Sequence, residues 1–202
     1  MIGRTLSEIF RVVVATAIAA LFVQTWLLKA FVVPSDSMEP TLLPGDLLLV
    51  NRFIHRSPGG LAMQRQIQRG DVILFRLPGD AEKILVKRCV GVGGDTIELR
   101  DKDLLVNGEP MLNFQAVFRD PNTYPSSRFV EQRLRDRDNF GPLTVPEGAL
   151  FVLGDNRDLS YDSRFWGTVP LDSVLGSARL IYWSRDGDSQ SVRWKRIGQS
   201  VR

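Results

Sequence analysis

Lys83–Val92 reads KILVKRCVGV, a run of branched and apolar residues broken by Lys87 and Arg88 and closed by glycines and Asp95. A run this short, rich in Val, Ile and Leu and bounded by turn residues, reads as a β-strand. Working outward, similar runs recur on both sides: Asp46–Phe53 (DLLLVNRF), Asp71–Leu77 (DVILFRL), Asp95–Arg100 (DTIELR), Asp103–Met111 (DLLVNGEPM) and Gly148–Gly154 (GALFVLG). Asn107-Gly108 stands between Leu105-Val106 and Glu109-Pro110, a strong signal for a two-residue hairpin turn. Segments of helical length with a period of 3.6 are missing beyond residue 34. The expected fold class is therefore mainly β, an antiparallel sandwich or barrel-like domain.

Composition narrows the function. The chain has 202 residues, enough for one core and not for two large domains. Hydrophobic residues make up 44% and charged residues 24%, as expected of a folded chain. One cysteine, Cys89, and one histidine, His55, exclude a disulfide framework and a Cys/His zinc site. With His55 alone to supply the usual base, a Ser-His-Asp triad or a Cys-His dyad is disfavoured, and a serine nucleophile points to another base. The net charge is +3, but residues 34–202 carry 23 basic against 22 acidic side chains, so no phosphate-binding stripe and no nucleic-acid partner are implied.

The excess positive charge sits at the start. Val12–Leu28 holds 17 residues without a charge, and if Lys29 snorkels the apolar stretch reaches Val33 before Pro34 ends it. As a helix, 12–33 would span about 33 Å, close to the bilayer core of about 30 Å, with Trp26 near the outer interface. A cleaved signal, a buried core helix and an interfacial helix are the competing readings. Small residues lie inside the run rather than after it, which favours an uncleaved transmembrane anchor. Arg4 and Arg11 precede the run, which places 1–11 in the cytoplasm and 34–202 outside. Residues 113–144 are polar, carry Pro121, Pro125 and Pro142, and read as a solvated insertion or hairpin excursion without chemistry. The charged tail from Arg185 is expected to end in one strand around Val192-Arg193-Trp194.

Three segments carry possible chemistry. Pro34–Leu42 (PSDSMEPTL) is a serine-rich turn by composition, notable for following the apolar run directly. Lys87 lies within an apolar strand, where it faces either solvent or the interior, and inward burial would depress its pKa and make it a general base. Gly154–Arg164 (GDNRDLSYDSR) reads as a turn with paired charges; it has acidic spacing reminiscent of a calcium loop but lacks the mid-loop glycine and closing glutamate. Cys89 reads as a packed strand residue and His55 as a polar residue at a strand end.

Together these segments resemble the type I signal peptidases (bacterial leader peptidases), membrane-anchored serine proteases with a Ser/Lys dyad. The likeness runs from the anchor to about Trp183 through four boxes in order: PSDSMEPTL, RGDVILF (69–75), VKRCVGVGGD (86–95) and GDNRDLSYDSRFWG (154–167). The resemblance implies Ser37 as nucleophile, Lys87 as general base, and the Ser35 hydroxyl beside the Ser37 amide as oxyanion hole. It implies that Ser160 orients the lysine amine and that Asp162 and Arg164 form a supporting ion pair. Phe31, Val33, Met38, Leu42, Leu85 and Val86 fall where such enzymes line small substrate pockets. The chain departs from the pattern at Gly93 and at Leu159.

The implied activity is removal of N-terminal signal peptides from exported preproteins with small residues at −1 and −3, at the outer face of the plasma (inner) membrane. No cofactor or metal is implied, and the oligomeric state stays open. A dedicated maturation protease with a single substrate and a non-enzymatic anchored β-domain that binds a partner remain as alternatives.

Overall fold

The computed structural model describes residues 8–16, 28–51, 66–111, 115–187 and 189–201. The middle of the apolar run, with Trp26, and His55 lie outside the described residues. Among the described residues, eleven strands, all paired antiparallel, form two sheets. They are β1 (Leu28–Val32), β2 (Asp46–Asn51), β3 (Val72–Leu77), β4 (Asp80–Val92), β5 (Thr96–Arg100), β6 (Asp103–Val106), β7 (Glu109–Pro110), β8 (Phe140–Thr144), β9 (Ala149–Leu153), β10 (Val169–Pro170) and β11 (Val174–Ser184). The larger sheet has the order β1-β2-β11-β3-β4-β9-β10 and the smaller β7-β6-β5-β8. The mainly β, antiparallel expectation is met. Among the described residues the larger sheet is open, with β1 and β10 at its edges, rather than closed into a barrel.

Alternation along the strands divides the core. Val72 and Leu74 of β3 join Leu48, Val50, Val86, Ala178 and Ile181 in one cluster, while Ile73 and Phe75 face Cys89, Leu150 and Val152 in a second. A third cluster joins Val90, Phe151 and Leu153 to Ile97, Leu99, Leu104 and Val106, so the smaller sheet covers one end of the larger. Asn107 and Gly108 both have positive φ (56° and 83°), as a type I′ hairpin requires. At the departure from the family pattern, Gly93 packs against Glu147, and Gly94 takes φ 87°.

Several expectations need correction. A helix, α1, runs over residues 8–16, but Leu28–Val32 is a strand whose register runs from Leu28 opposite Asn51 to Val32 opposite Leu47. The apolar run therefore does not stay helical to Val33, because its last residues gain backbone partners from β2. Among the described residues no helix is long and apolar enough to cross a membrane.

The polar stretch 113–144 is largely exposed where it is described, yet it is not loop throughout. It contains helix α2 (Gln132–Asp138) and β8, and Arg137 and Asp138 within it are buried. The strand expected at 192–194 is a single bridge, Arg185 to Val192, followed by a 3-10 turn at Trp194–Arg196. Strand β11, at 11 residues among the longest, had no counterpart among the expected runs because Gly176, Ser177 and Arg179 dilute its apolar residues.

Candidate active site

Ser37 lies in a 3-10 turn (Asp36–Met38) within a loop whose base is closed by Val33 donating to the Asp46 carbonyl at 2.9 Å. Met38 and Leu42 are buried from this loop into the first core cluster, which fixes the turn between them. The Ser37 carbonyl accepts from the Asn156 amide at 3.1 Å, and Asn156 Nδ2 donates to the Asp36 carbonyl at 3.3 Å. The serine turn is thus fastened to the loop after β9.

Lys87 sits in β4 opposite Ile73 of β3 and is 3% exposed. Its Nζ is 2.6 Å from Ser37 Oγ, and Ser37 Oγ is 3.2 Å from Ser35 Oγ. Burial pushes the Lys87 ammonium down to about 8, against the opposing charges of Asp162 and Asp155 and with some help from Arg164. A neutral amine next to a serine hydroxyl is available near neutral pH. By contrast, burial pushes the Cys89 thiol up to about 12, and Cys89 donates to the Gly91 carbonyl, so it is a packed strand residue and not a nucleophile.

The loop after β9 supplies the support. Asp162 caps helix α3 (Ser163–Trp166) and holds the Arg164 guanidinium through a fork of 2.8 and 2.9 Å, both side chains being essentially inaccessible. Burial would raise the Asp162 carboxyl, but the Arg164 charge holds it below the usual carboxylate range. Arg164 also donates to the carbonyls of Arg137 and Arg157, which ties α2 to the site loop. Ser160 is buried, and its hydroxyl helps to lower the Asp162 carboxyl, but no bond joins it to the Lys87 amine. Gly154 explains the close packing here: a Cβ at that position would stand 2.3 Å from Ser160 Oγ and 2.4 Å from the Ser37 carbonyl oxygen. Leu159, a departure from the family pattern, is exposed and makes no demand on the site.

Of the expected pocket residues, Val33, Met38, Leu42 and Val86 are buried in one cluster, with Phe31 packed against it. Leu85 is not with them; it packs against the second cluster, as alternation from Val86 dictates. Sequence reasoning missed the buried fork between Arg88 and Asp155 (2.7 and 2.6 Å), to which Thr41 donates at 2.6 Å. The signal was a second cation inside an apolar strand, since a buried guanidinium requires a carboxylate. It also missed that 115–120 crosses the site loop. Val117 exchanges backbone hydrogen bonds with Asp155 and Arg157, and the Asp158 carboxylate accepts from the amides of Arg119 and Asp120. Among the described residues, no three His, Cys, Asp or Glu side chains stand together as a metal site.

The model of the signal peptidase, peptidase S26, family matches residues 6–183. The chain belongs to that family. Signal peptidase I of Pseudomonas fluorescens is 32% identical to it, with 88% of this chain and 73% of that protein aligned. Signal peptidase I of Aquifex aeolicus is 31% identical (83% and 80%), and that of Mycobacterium tuberculosis is 35% identical (93% and 76%). The peptidase is thus a hydrolase of the signal peptidase type, and the reading as a non-enzymatic anchored β-domain is set aside.

Proposed function

We propose that the peptidase removes signal peptides from exported preproteins by a Ser37–Lys87 dyad, held at the membrane by its N-terminal apolar run. The observation that carries the dyad is the 2.6 Å contact between Ser37 Oγ and a Lys87 amine that burial keeps largely deprotonated above pH 8. In this mechanism neutral Lys87 takes the Ser37 proton as Oγ attacks the scissile carbonyl. The Ser37 amide and the Ser35 hydroxyl hold the oxyanion of the tetrahedral intermediate. The lysine ammonium then protonates the leaving amine, freeing the mature protein and leaving an ester at Ser37. Lys87 next takes a proton from water, the hydroxide attacks the ester, and release of the signal peptide restores both side chains. The Asp162 and Arg164 charges, both felt by the Lys87 amine, would support the lysine. The buried Val33, Met38, Leu42 and Val86 around the serine turn favour small side chains at −1 and −3. No step calls on a metal or organic cofactor.

The pH profile of model-preprotein cleavage tests the base. Protonated Lys87 is inactive, so kcat/KM should rise through an acidic limb centred near pH 8, because the ammonium titrates at about 8 rather than 10.5. A limb near 10, where an ordinary lysine titrates, would rule out a buried lysine base. Ser37→Ala in the same assay should leave no such profile to measure.

The anchor reading rests on the run from Val12 and on the helix at 8–16, where Ile9, Phe10, Val12 and Val13 are all more than half exposed. Apolar side chains on a helix with nothing packed over them suit a lipid environment. With the turn to strand at Leu28, the helical part of the anchor would end before β1. Arg4 and Arg11 on its near side place the N-terminus in the cytoplasm and the β-domain on the outer face of the plasma (inner) membrane. Protease added to sealed right-side-out vesicles should digest the β-domain and spare the N-terminus. Full protection of the β-domain would reverse the orientation.

A further inference from the structure

The residues past the family match, from Ser184 onward, do not trail away from the domain. Val201 is buried in the same core cluster as Met38 and Leu42, and backbone hydrogen bonds tie Gly198, Gln199 and Val201 to Arg179 and Ile181 of β11. This return path brings two arginines against the loop that carries Ser37.

At the base of that loop the Asp46 side chain is inaccessible to solvent. Its carboxylate accepts from the Leu43 amide at 2.9 Å, the Ser184 hydroxyl at 2.6 Å, and Arg196 through Nε at 3.1 Å and Nη2 at 2.5 Å. The same Nη2 of Arg196 donates to the Thr41 carbonyl at 2.9 Å, and Arg193 Nη1 donates to the Pro44 carbonyl at 2.9 Å. Gly45 lies so close to the segment that a Cβ there would stand 2.0 Å from the Arg185 carbonyl oxygen. Thr41 is gripped from both sides, its carbonyl by Arg196 and its hydroxyl by Asp155.

We infer that Arg196 is a positioning residue for the nucleophile: by bridging the Asp46 carboxylate and the Thr41 carbonyl, it sets the stretch between Thr41 and Asp46 and so holds Ser37 at its distance from Lys87. A guanidinium performs this task because one planar group reaches a carboxylate and a carbonyl together, whereas a lysine offers a single point of charge. The inference rests on the Ser37–Lys87 reading and adds a residue outside the four boxes to that site. Arg196 touches neither member of the dyad. Its loss acts on distance and alignment, for which a shift of about 1 Å can cost on the order of 10²-fold in rate.

The test uses the full chain with a model preprotein. Intact sites are counted by a serine-directed acylating inhibitor, and folding is followed by thermal unfolding. Arg196→Lys keeps a counter-charge for the buried Asp46 and loses the bridge to Thr41. It should fold, keep KM and the acidic limb near pH 8, and lose roughly 10- to 10²-fold in kcat per titrated site. Arg196→Ala should lose at least as much where it folds; where it does not, the lysine variant decides. Parental kcat per site in a folded Arg196→Lys or Arg196→Ala protein overturns the inference, as does a loss confined to KM or to unfolding temperature. Parental cleavage by Ser37→Ala would instead end the dyad reading itself. With Ser37→Ala inert, a fully active Arg196→Lys enzyme removes only the positioning role.

Discussion

Ser37→Ala and Lys87→Ala should each lower kcat for preprotein cleavage by about 10⁴-fold or more, and the double variant should be hardly worse than either. The two groups meet at 2.6 Å and in the proposed mechanism act in one proton transfer, so removing either would remove the step. Non-additivity is the more telling part. Two residues with separate roles would multiply their losses, whereas members of one unit do not. Ser35→Ala belongs to the same series with a smaller loss, about 10²–10³-fold in kcat with KM little changed, because an oxyanion donor acts mainly in the transition state. Substantial cleavage by Lys87→Ala would end the dyad reading, and a Ser35→Ala loss confined to KM would make that hydroxyl a binding group.

Arg164→Ala and Asp162→Ala should each destabilise the domain by about 3–5 kcal/mol, since either change leaves a buried charge without its partner. For a domain of this size that is a fall of roughly 10 °C in unfolding temperature. The two side chains are 1% and 0% accessible, so solvent offers little relief. The double Ala variant should cost less than the two singles together, because neither charge is then left alone. Additive losses would mean that the bonds from Arg164 to the Arg137 and Arg157 carbonyls, rather than the ion pair, dominate. The pair also sets a pH dependence. A carboxyl held below its ordinary value contributes stability at neutral pH and withdraws it as acid titrates Asp162, so the difference between the parent and Asp162→Ala should shrink below about pH 4.

Much of this was legible in the chain because strands β2 to β6 and β9 are dense apolar runs whose ends are marked by Asp, Asn or Gly, and the Asn107-Gly108 turn names its own conformation. Where the reading failed, non-local contacts decided. Leu28–Val32 is as apolar as the residues before it, and only pairing with β2 distinguishes a strand from the end of a helix. Between Val174 and Ser184 the pattern is interrupted by Gly176, whose φ of 157° and contact with Asn51 accompany an irregular register against β2 and β3. Ser37 and Lys87, which the structure brings to 2.6 Å, were singled out by their boxes, and the depressed lysine was foreseeable from its apolar neighbours. The fork of Arg88 with Asp155 and the crossing of 115–120 were not, since charge pairs separated by 67 residues leave no local trace.

The position of β11 has a consequence for the order in which the enzyme becomes active. It is the last strand among the described residues, yet it lies between β2, beside the Ser37 loop, and β3, the neighbour of the Lys87 strand. During synthesis the serine and the lysine emerge early, on two blocks of sheet whose edges are not joined to each other. Residues 174–184 join the two blocks edge to edge, in addition to the contacts of Ser37 and Thr41 with Asn156, Arg88 and Asp155, and this pairing is made between segments far apart in sequence. The proposed site would thus gain its full sheet support only once the C-terminal strand is in place.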